Sequence, residues 1–323
     1  GIDTWNSESL TSVNLFSDKS YYYITFSEGD GKRIQSEIQP SGTPNLVFTK
    51  FDDIFYYEKD LVNVGKVGRR WFGEQFSINN DQTFTFTIPN LDTSIPVNIY
   101  INTASKSFGN SSFKLKINST ELGTLTFPTL VSGSGIEGYE SAFNVSYNAN
   151  SPSLSLTLSY NNGGVPSSNG YLDFIKISSK RNLIGYGKQF VFYNNEEQSN
   201  IGVGQYTITN ASNITQIWNI TDLANVTKYV NNSNASFAFK VNLGIPKKYV
   251  AVDLSDTYSP FKESVSMVQN QNLKGTIFNN SQGIFEDIDY LIITPQFLIS
   301  QAERLADFHR NNSGLSVRVV TLE

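Results

Sequence analysis

Five segments of this chain place an apolar side chain at every second position. They are Phe84, Phe86, Ile88; Val97, Ile99, Ile101; Phe113, Leu115, Ile117; Phe143, Val145, Tyr147; and Leu154, Leu156, Leu158, Tyr160. Successive side chains of a strand point to opposite faces, so a period of two marks strands with one buried face and rules out helices there. Turn chemistry such as Asn161-Asn162-Gly163-Gly164 separates the segments. The spacing predicts a two-sheet antiparallel sandwich of jelly-roll type over residues 67–180. Its last strand, Tyr171-Leu172-Asp173-Phe174-Ile175-Lys176-Ile177, is apolar at both parities, which predicts cover on both faces.

The flanking regions read less evenly. Residues 1–66 hold short strand candidates in loops, at Tyr21–Phe26, Asn45–Phe48 and Ile54–Tyr57. Residues 181–262 predict a second, smaller β unit, with strands near Phe190–Tyr193, Tyr206–Ile208, Ile217-Trp218, Phe237–Phe239 and Tyr249–Val252. A short helix is expected after Thr221-Asp222, because threonine caps helix N-termini. Residues 263–286 form an Asn-, Gln- and Gly-rich linker.

The pattern then changes. Asp289–Pro295 and Leu315–Thr321 are continuous apolar strands. The helix between them, Gln296–Arg310, sets Leu298, Ala302, Leu305 and His309 on one stripe. Residues 287–323 thus predict one βαβ unit, the opening of a parallel α/β domain. One helix covers one face of a parallel pair, so Ile292, Ile293, Val317 and Val319 are expected to be partly exposed, and the chain to be cut at the start of a larger domain. The fold expected overall is mainly β, with helix below about 15% against the usual third.

Composition narrows the chemistry. The net charge is −5 and no basic run occurs, which disfavours nucleic acid. No stretch of 18 apolar residues occurs to make a spanning helix. Cysteine is absent, so these residues supply no disulfide, no thiolate metal ligand and no cysteine nucleophile. Gly1 with no apolar leader reads as a processed protein or a fragment.

Four kinds of residue invite a functional reading. His309 is the one histidine, and its place on the apolar stripe near a helix end reads as packing. Asp52-Asp53 and Glu286-Asp287 with Asp289 are carboxylate clusters of the kind that bind calcium, yet neither has the loop pattern of a calcium site. Trp71 and Trp218 could line a sugar platform, though aromatics in β-rich chains more often fill cores. Eleven Asn-x-Ser/Thr sequons occur, at Asn110, Asn118, Asn144, Asn210, Asn213, Asn219, Asn225, Asn231, Asn234, Asn279 and Asn311. They read as a consequence of an Asn- and Ser-rich composition.

Four segments, in order, resemble the gingipain-like cysteine peptidases that serve as sortases of the Bacteroidetes type IX secretion system. Asp289–Pro295, Ala302–Arg310 and Leu315–Val317 resemble the opening of their catalytic domain. Val268–Gly275 resembles the linker before it, with Lys274 where histidine is expected. Arg70-Trp71-Phe72-Gly73-Glu74-Gln75-Phe76 resembles the start of their β-sandwich region. Ile217-Trp218-Asn219-Ile220-Thr221-Asp222-Leu223 resembles a Trp-Asp-Val-Thr-Asp-Pro stretch, departing at Asn219 and Leu223. The resemblance runs over roughly residues 67–323 and adds little for residues 1–66.

The resemblance implies a non-catalytic N-terminal region followed by the start of a caspase-like α/β peptidase domain. The family's His–Cys dyad then lies beyond Glu323, so no catalytic, cofactor-binding or metal residue is assigned here, no cofactor is implied, and this chain alone should be inactive. It further implies a whole protein that removes the C-terminal signal domain of secreted cargo. That protein joins the cargo to anionic lipopolysaccharide through an acyl-enzyme and an amine nucleophile. The implied location is the extracellular face of the outer membrane. The implied partners are a PorV-like outer-membrane β-barrel, a PorZ-like attachment-complex component and the cargo itself. The competing reading is a β-sandwich adhesin or carbohydrate-binding surface protein without enzymatic activity.

Overall fold

The computed structural model describes residues 29–66, 70–77, 80–262 and 277–321, together with Lys19, Tyr21, Tyr22 and Ile24. Strand accounts for 46% and helix for 8%. The chain divides into two units, residues 1–258 and 259–323.

In chain order the first unit holds β1 (Gln35–Ser36), β2 (Leu46–Phe48), β3 (Lys50–Glu58), β4 (Gln75–Phe76), β5 (Asp81–Thr87), β6 (Val97–Lys106) and β7 (Ser111–Ile117). Then come β8 (Thr120–Phe127), β9 (Tyr139–Tyr147), β10 (Ser153–Asn161), β11 (Asn169–Asn182), β12 (Phe190–Phe192) and helix α1 (Asn195–Ser199). The unit closes with β13 (Val203–Thr209), β14 (Ile214–Asn219), β15 (Thr227–Val230), β16 (Ser236–Asn242) and β17 (Tyr249–Asp253).

The period-two segments build the expected sandwich. One sheet runs β5-β10-β7-β8 and the other β3-β11-β6-β9, with β4 also pairing β11. Alternation puts Val97, Ile99 and Ile101 of β6 against Phe113, Leu115 and Ile117 of β7 and Leu154, Leu156 and Leu158 of β10, all with no exposed surface. Gly170 of β11 faces this core. A Cβ there would stand 2.6 Å from both the Phe113 and the Tyr160 rings, so only glycine fits.

β11 is covered on both faces as its sequence implies, and its parity shifts midway. The register against β6 slips between Leu172 and Phe174, which makes Asp173 the extra residue of a β-bulge. Leu172, Ile175 and Ile177 therefore face the core, while Phe174 stacks outside between Tyr56 and Tyr100.

The second β unit is packed by aromatic rings. Sheet β1-β15-β14-β17-β12 faces sheet β16-β13-β2 across Phe48, Phe51, Phe192, Tyr206, Tyr229, Phe239 and Tyr249. Two joins are parallel, β1 to β15 and β2 to β13. Residues 46–58, grouped with an N-terminal segment in the sequence reading, pair with both β units: β2 completes the aromatic sandwich, and β3 forms an edge of the first one. No helix follows Thr221-Asp222. The Asp222 carboxylate instead accepts from the Ala224 and Asn225 nitrogens and closes a turn. The helix lies at α1, capped by Asn194, whose side chain accepts from Glu196 N at 2.9 Å. The strand expected at Tyr21–Phe26 falls largely outside the described residues, and Tyr21, Tyr22 and Ile24 are in no strand.

The second unit carries β18 (Tyr290–Thr294), a 3-10 turn at Gln296–Leu298, α2 (Ile299–Ser313) and β19 (Val317–Thr321). β18 and β19 pair in parallel, which gives the βαβ order expected. Gly314 closes α2 in the left-handed region at φ 64°. The buried stripe of α2 is Ala302 and Ala306; Leu298 and Leu305 are exposed, because the small alanines bring the helix onto the strands. Ile293 is 60% exposed and Ile292 and Val319 are half-buried, while Val317 lies at 8%, buried on the helix side. The foreseen linker, 263–286, includes residues outside the described set; its described end forms a bridge between Asn279 and Phe285.

Candidate ligand cleft on the outer face of the sandwich

The bulge in β11 aims a carboxylate outward. Asp173 is 2% exposed, and its Oδ2 accepts from Asn102 Nδ2 of β6 at 2.8 Å and from Arg70 Nη2 at 2.9 Å. Arg70 turns its other edge to Glu140 of β9, with Nε–Oε1 at 3.0 Å and Nη2–Oε2 at 2.7 Å, and its guanidinium stacks 4.8 Å over the Phe72 ring. A planar fork clamped between two carboxylates and an aromatic face is the arrangement arginine alone can satisfy.

A loop lays Arg70 there. Val62 and Phe72 bridge as antiparallel neighbours, and Val62, Val64 and Phe72 pack on Ala104 and Tyr171 in a small core outside the sheet. Between this loop and residues 135–140 opens a cleft of about 280 Å³. Val64, Phe72, Ala104 and Tyr171 give it apolar walls. Arg70, Lys106, Glu137 and Glu140 give it charge, with Glu137 paired to Lys106.

Burial pushes the Asp173 carboxyl above its ordinary pKa, opposed by Arg70 and Asn102. Burial would depress the Arg70 guanidinium, but its bonds to Glu140 and Asp173 outweigh this and hold it above its usual range. Burial also raises Asp60, against the field of Arg70. A cleft with apolar walls, converging polar groups and shifted pKa values has the general form of a binding site. Its lining residues include no histidine, and the chain has no cysteine.

The residues singled out from sequence sit elsewhere. Asp52 pairs with Lys180 at 3.0 Å and accepts from Asn195 N; Asp53 pairs with Arg181 at 2.6 Å. Each carboxylate thus has a cation, which leaves no open cage. Glu286 pairs with Arg318 at 3.0 Å and Asp289 accepts from Ser316 N. Among the described residues no three His, Cys, Asp or Glu side chains converge as metal ligands. His309 is half-buried, edge-on to Tyr290 at 5.1 Å. Trp71 and Trp218 are both half-buried, and the Trp218 indole donates to Gln216 at 2.7 Å. Asn231 is buried, with Nδ2 donating to three carbonyls, so that sequon has no room for a glycan.

Sequence reasoning passed over Asp173 as a site. The signal was there: an acidic residue inside a strand buried on both faces must find a partner.

Comparison with known proteins bears on the whole chain. Residues 284–323 match the model of peptidase family C25, on the segment that contains β18, α2 and β19. Over 90% of its length the chain matches dimeric latent PorU from Porphyromonas gingivalis, with a TM-score of 0.63 and 21% identity. It spans 27% of the length of that chain. Smaller matches include the CBM36-1 domain of a multidomain xylanase from the hindgut metagenome of Trinervitermes trinervoides, with 14% identity, 39% of this chain, 95% of that one and a TM-score of 0.27. A carbohydrate-binding module CBM36 in complex with calcium and xylotriose matches with 14% identity, over 40% of this chain and 99% of its own, at a TM-score of 0.25. No curated protein matches the sequence.

Proposed function

We propose that the chain is a PorU-like, non-catalytic β region of a gingipain-type sortase, carrying the opening of its peptidase domain at residues 284–323. The observation that carries this reading is the coincidence of two likenesses: the fold match over 90% of the chain and the C25 match where the βαβ unit lies. Because these 323 residues hold no cysteine, the thiol nucleophile of such an enzyme is supplied by residues other than these. In this reading the whole protein trims the C-terminal signal domain from secreted cargo and attaches the cargo to anionic lipopolysaccharide at the cell surface. The β sandwiches hold the catalytic domain against the outer-membrane and attachment-complex partners.

The test is genetic. In the native host, in-frame deletion of residues 1–258 should leave cargo with its signal domain uncleaved and unattached, read by immunoblot of whole cells and culture medium. Normal processing and attachment in that strain would overturn the proposal. The purified chain should cleave no cargo on its own.

A further inference from the structure

We propose that the open edge of β5 is a docking site for one extended strand of a partner polypeptide, whose inward side chains fill the cavity beside it and donate to Glu74. This edge carries the inference independently of the sortase reading. β5 ends its sheet, with β10 on one side and no strand on the other. Its ladder fixes which groups are spare. Tyr160 N donates to Asn80 O and Ile88 N to Pro152 O, each at 2.8 Å, so the even-numbered residues between them bond β10. Asp81, Thr83, Thr85 and Thr87 therefore turn their N–H and C=O groups to the open edge, where no hydrogen bond from the described residues reaches them. Proteins usually blunt such an edge with lysine, proline or a bulge. β8, at the other end of the sheet, slips register against β7. Asp81–Thr87 holds no lysine and no proline, and it runs unbroken against β10.

The cavity decides what the strand brings. It holds about 360 Å³, inside the range of ligand pockets, about 300–1,000 Å³. Tyr57, Phe84 and Phe86 give it aromatic walls, Thr83 and Thr85 line it along the spare edge, and Glu74 supplies a carboxylate. One Glu74 oxygen is engaged: Oε1 accepts from the Tyr57 hydroxyl and pairs with Lys59 at 2.9 Å. Oε2 is buried and has no hydrogen-bond partner among the described residues. A buried acceptor left unpaired is unfavourable, and a donor carried in by a ligand relieves it. A strand added to β5 points every second side chain inward and the others to the outer face, where Thr83 meets Thr157 at 2.8 Å. Small apolar residues and one hydroxyl at the inward positions match the aromatic walls and Oε2. A helix spends its backbone groups internally, so only an extended chain can answer Thr83 and Thr85. A second copy offering its own β5 fits less well, because its Phe84 is already buried in its own core and carries no donor for Glu74.

The experiment titrates the purified chain, amide-labelled for NMR, with the peptide N-acetyl-Lys-Val-Thr-Ser-Thr-Val-Lys-amide. Its threonines fall opposite the outward groups of β5, and its serine and valines point inward. Binding should saturate and slow hydrogen exchange at the Thr83 and Thr85 amides about tenfold or more, leaving Phe84 and Phe86 as they were. Methylating the two threonine amides removes donors to the edge and should weaken binding about tenfold. Alanine in place of the serine leaves Oε2 unanswered and should weaken it about threefold. In the protein, Thr85→Pro deletes an outward N–H and no bond to β10, so it should weaken the parent peptide about tenfold with the fold kept. If that variant unfolds, the methylated peptide still decides the matter on the unaltered chain. Equal binding of the parent and methylated peptides, equal binding of the serine and alanine peptides, or no saturable binding of the parent would each overturn the proposal. So would protection of Thr83 and Thr85 that grows with chain concentration and needs no peptide, which would assign the edge to a second copy.

Discussion

The two β cores of the first unit handle buried carboxylates in opposite ways. The larger sandwich keeps carboxylates out of its core, where the Tyr160 hydroxyl bonds Ser105 and Ser168, and places Asp173 on its outer face through a bulge, under a loop. The aromatic sandwich draws a carboxylate into its middle: Glu197 of α1 has no exposed surface and accepts from Tyr206 of β13 at 2.7 Å and Tyr249 of β17 at 2.9 Å, with Lys247 at 3.3 Å. Those tyrosines belong to opposite sheets, so Glu197 fastens one sheet to the other. The first core has long antiparallel ladders whose alternation fixes register. The second has short strands and two parallel joins, and a directional polar knot supplies the register that apolar packing leaves open.

The largest effects should come from the cores themselves. Phe113→Ala removes a ring packed on Phe76, Phe127 and Tyr160, and Phe239→Ala one packed on Tyr206, Tyr229 and Tyr249. Each should lower stability by about 3–5 kcal/mol in urea unfolding. Next is Glu197→Ala, which strands two tyrosine hydroxyls and a lysine in the aromatic core. A loss of about 3 kcal/mol is expected; a loss below about 1 kcal/mol would show that the knot is ornamental.

Glu197→Gln sharpens the same contrast through pH. Burial raises the Glu197 carboxyl above its ordinary value, only partly opposed by the tyrosine and lysine contacts. The folded state therefore holds its proton to higher pH than the unfolded state, and stability falls as pH rises from the unfolded value, about 4.3, through the folded one. The variant lacks that slope. Measured from pH 4 to 7, its stability relative to the parent should climb, by about 1.4 kcal/mol for each pKa unit of the shift. A constant difference would refute the burial argument.

Asp173→Asn keeps the shape beneath Arg70 and a hydrogen bond to Asn102, so it should cost under about 2 kcal/mol. Smallest of all is the exposed pair Lys114–Glu121 at 3.1 Å on the outer surface of β7 and β8. Lys114→Ala should change stability by less than about 1 kcal/mol.

How far the sequence disclosed all this follows from the same contrast. Alternation exposed β5, β7, β9 and β10, and the first half of β6, where a dry face alternates with a wetter one. It missed β8, Thr120–Phe127, an edge strand whose residues are mostly exposed or half-buried and whose register against β7 slips. It missed β15, four residues long, and α1, a five-residue helix whose capping asparagine lies in a run of polar residues. The βαβ unit was legible from its continuous apolar strands, and Ala302 of the expected stripe is buried, but Ala306 was passed over because alanine carries little weight in an apolar pattern. The Arg70 cleft joins residues far apart in sequence, at 70, 102, 140 and 173, and no local pattern reports such a meeting.

β3 sends Phe51 into the aromatic core, and Phe55 and Tyr57 pack on the core of the larger sandwich, while hydrogen-bonding along β11 from Glu58 to Lys50. The two β units are therefore not beads on a string. Neither can melt without tearing a rung from the other, so heat or denaturant should meet one cooperative transition for both. A tug applied at either end of the unit would be carried through this common girder, as shear along its ladder, instead of being absorbed at a flexible joint.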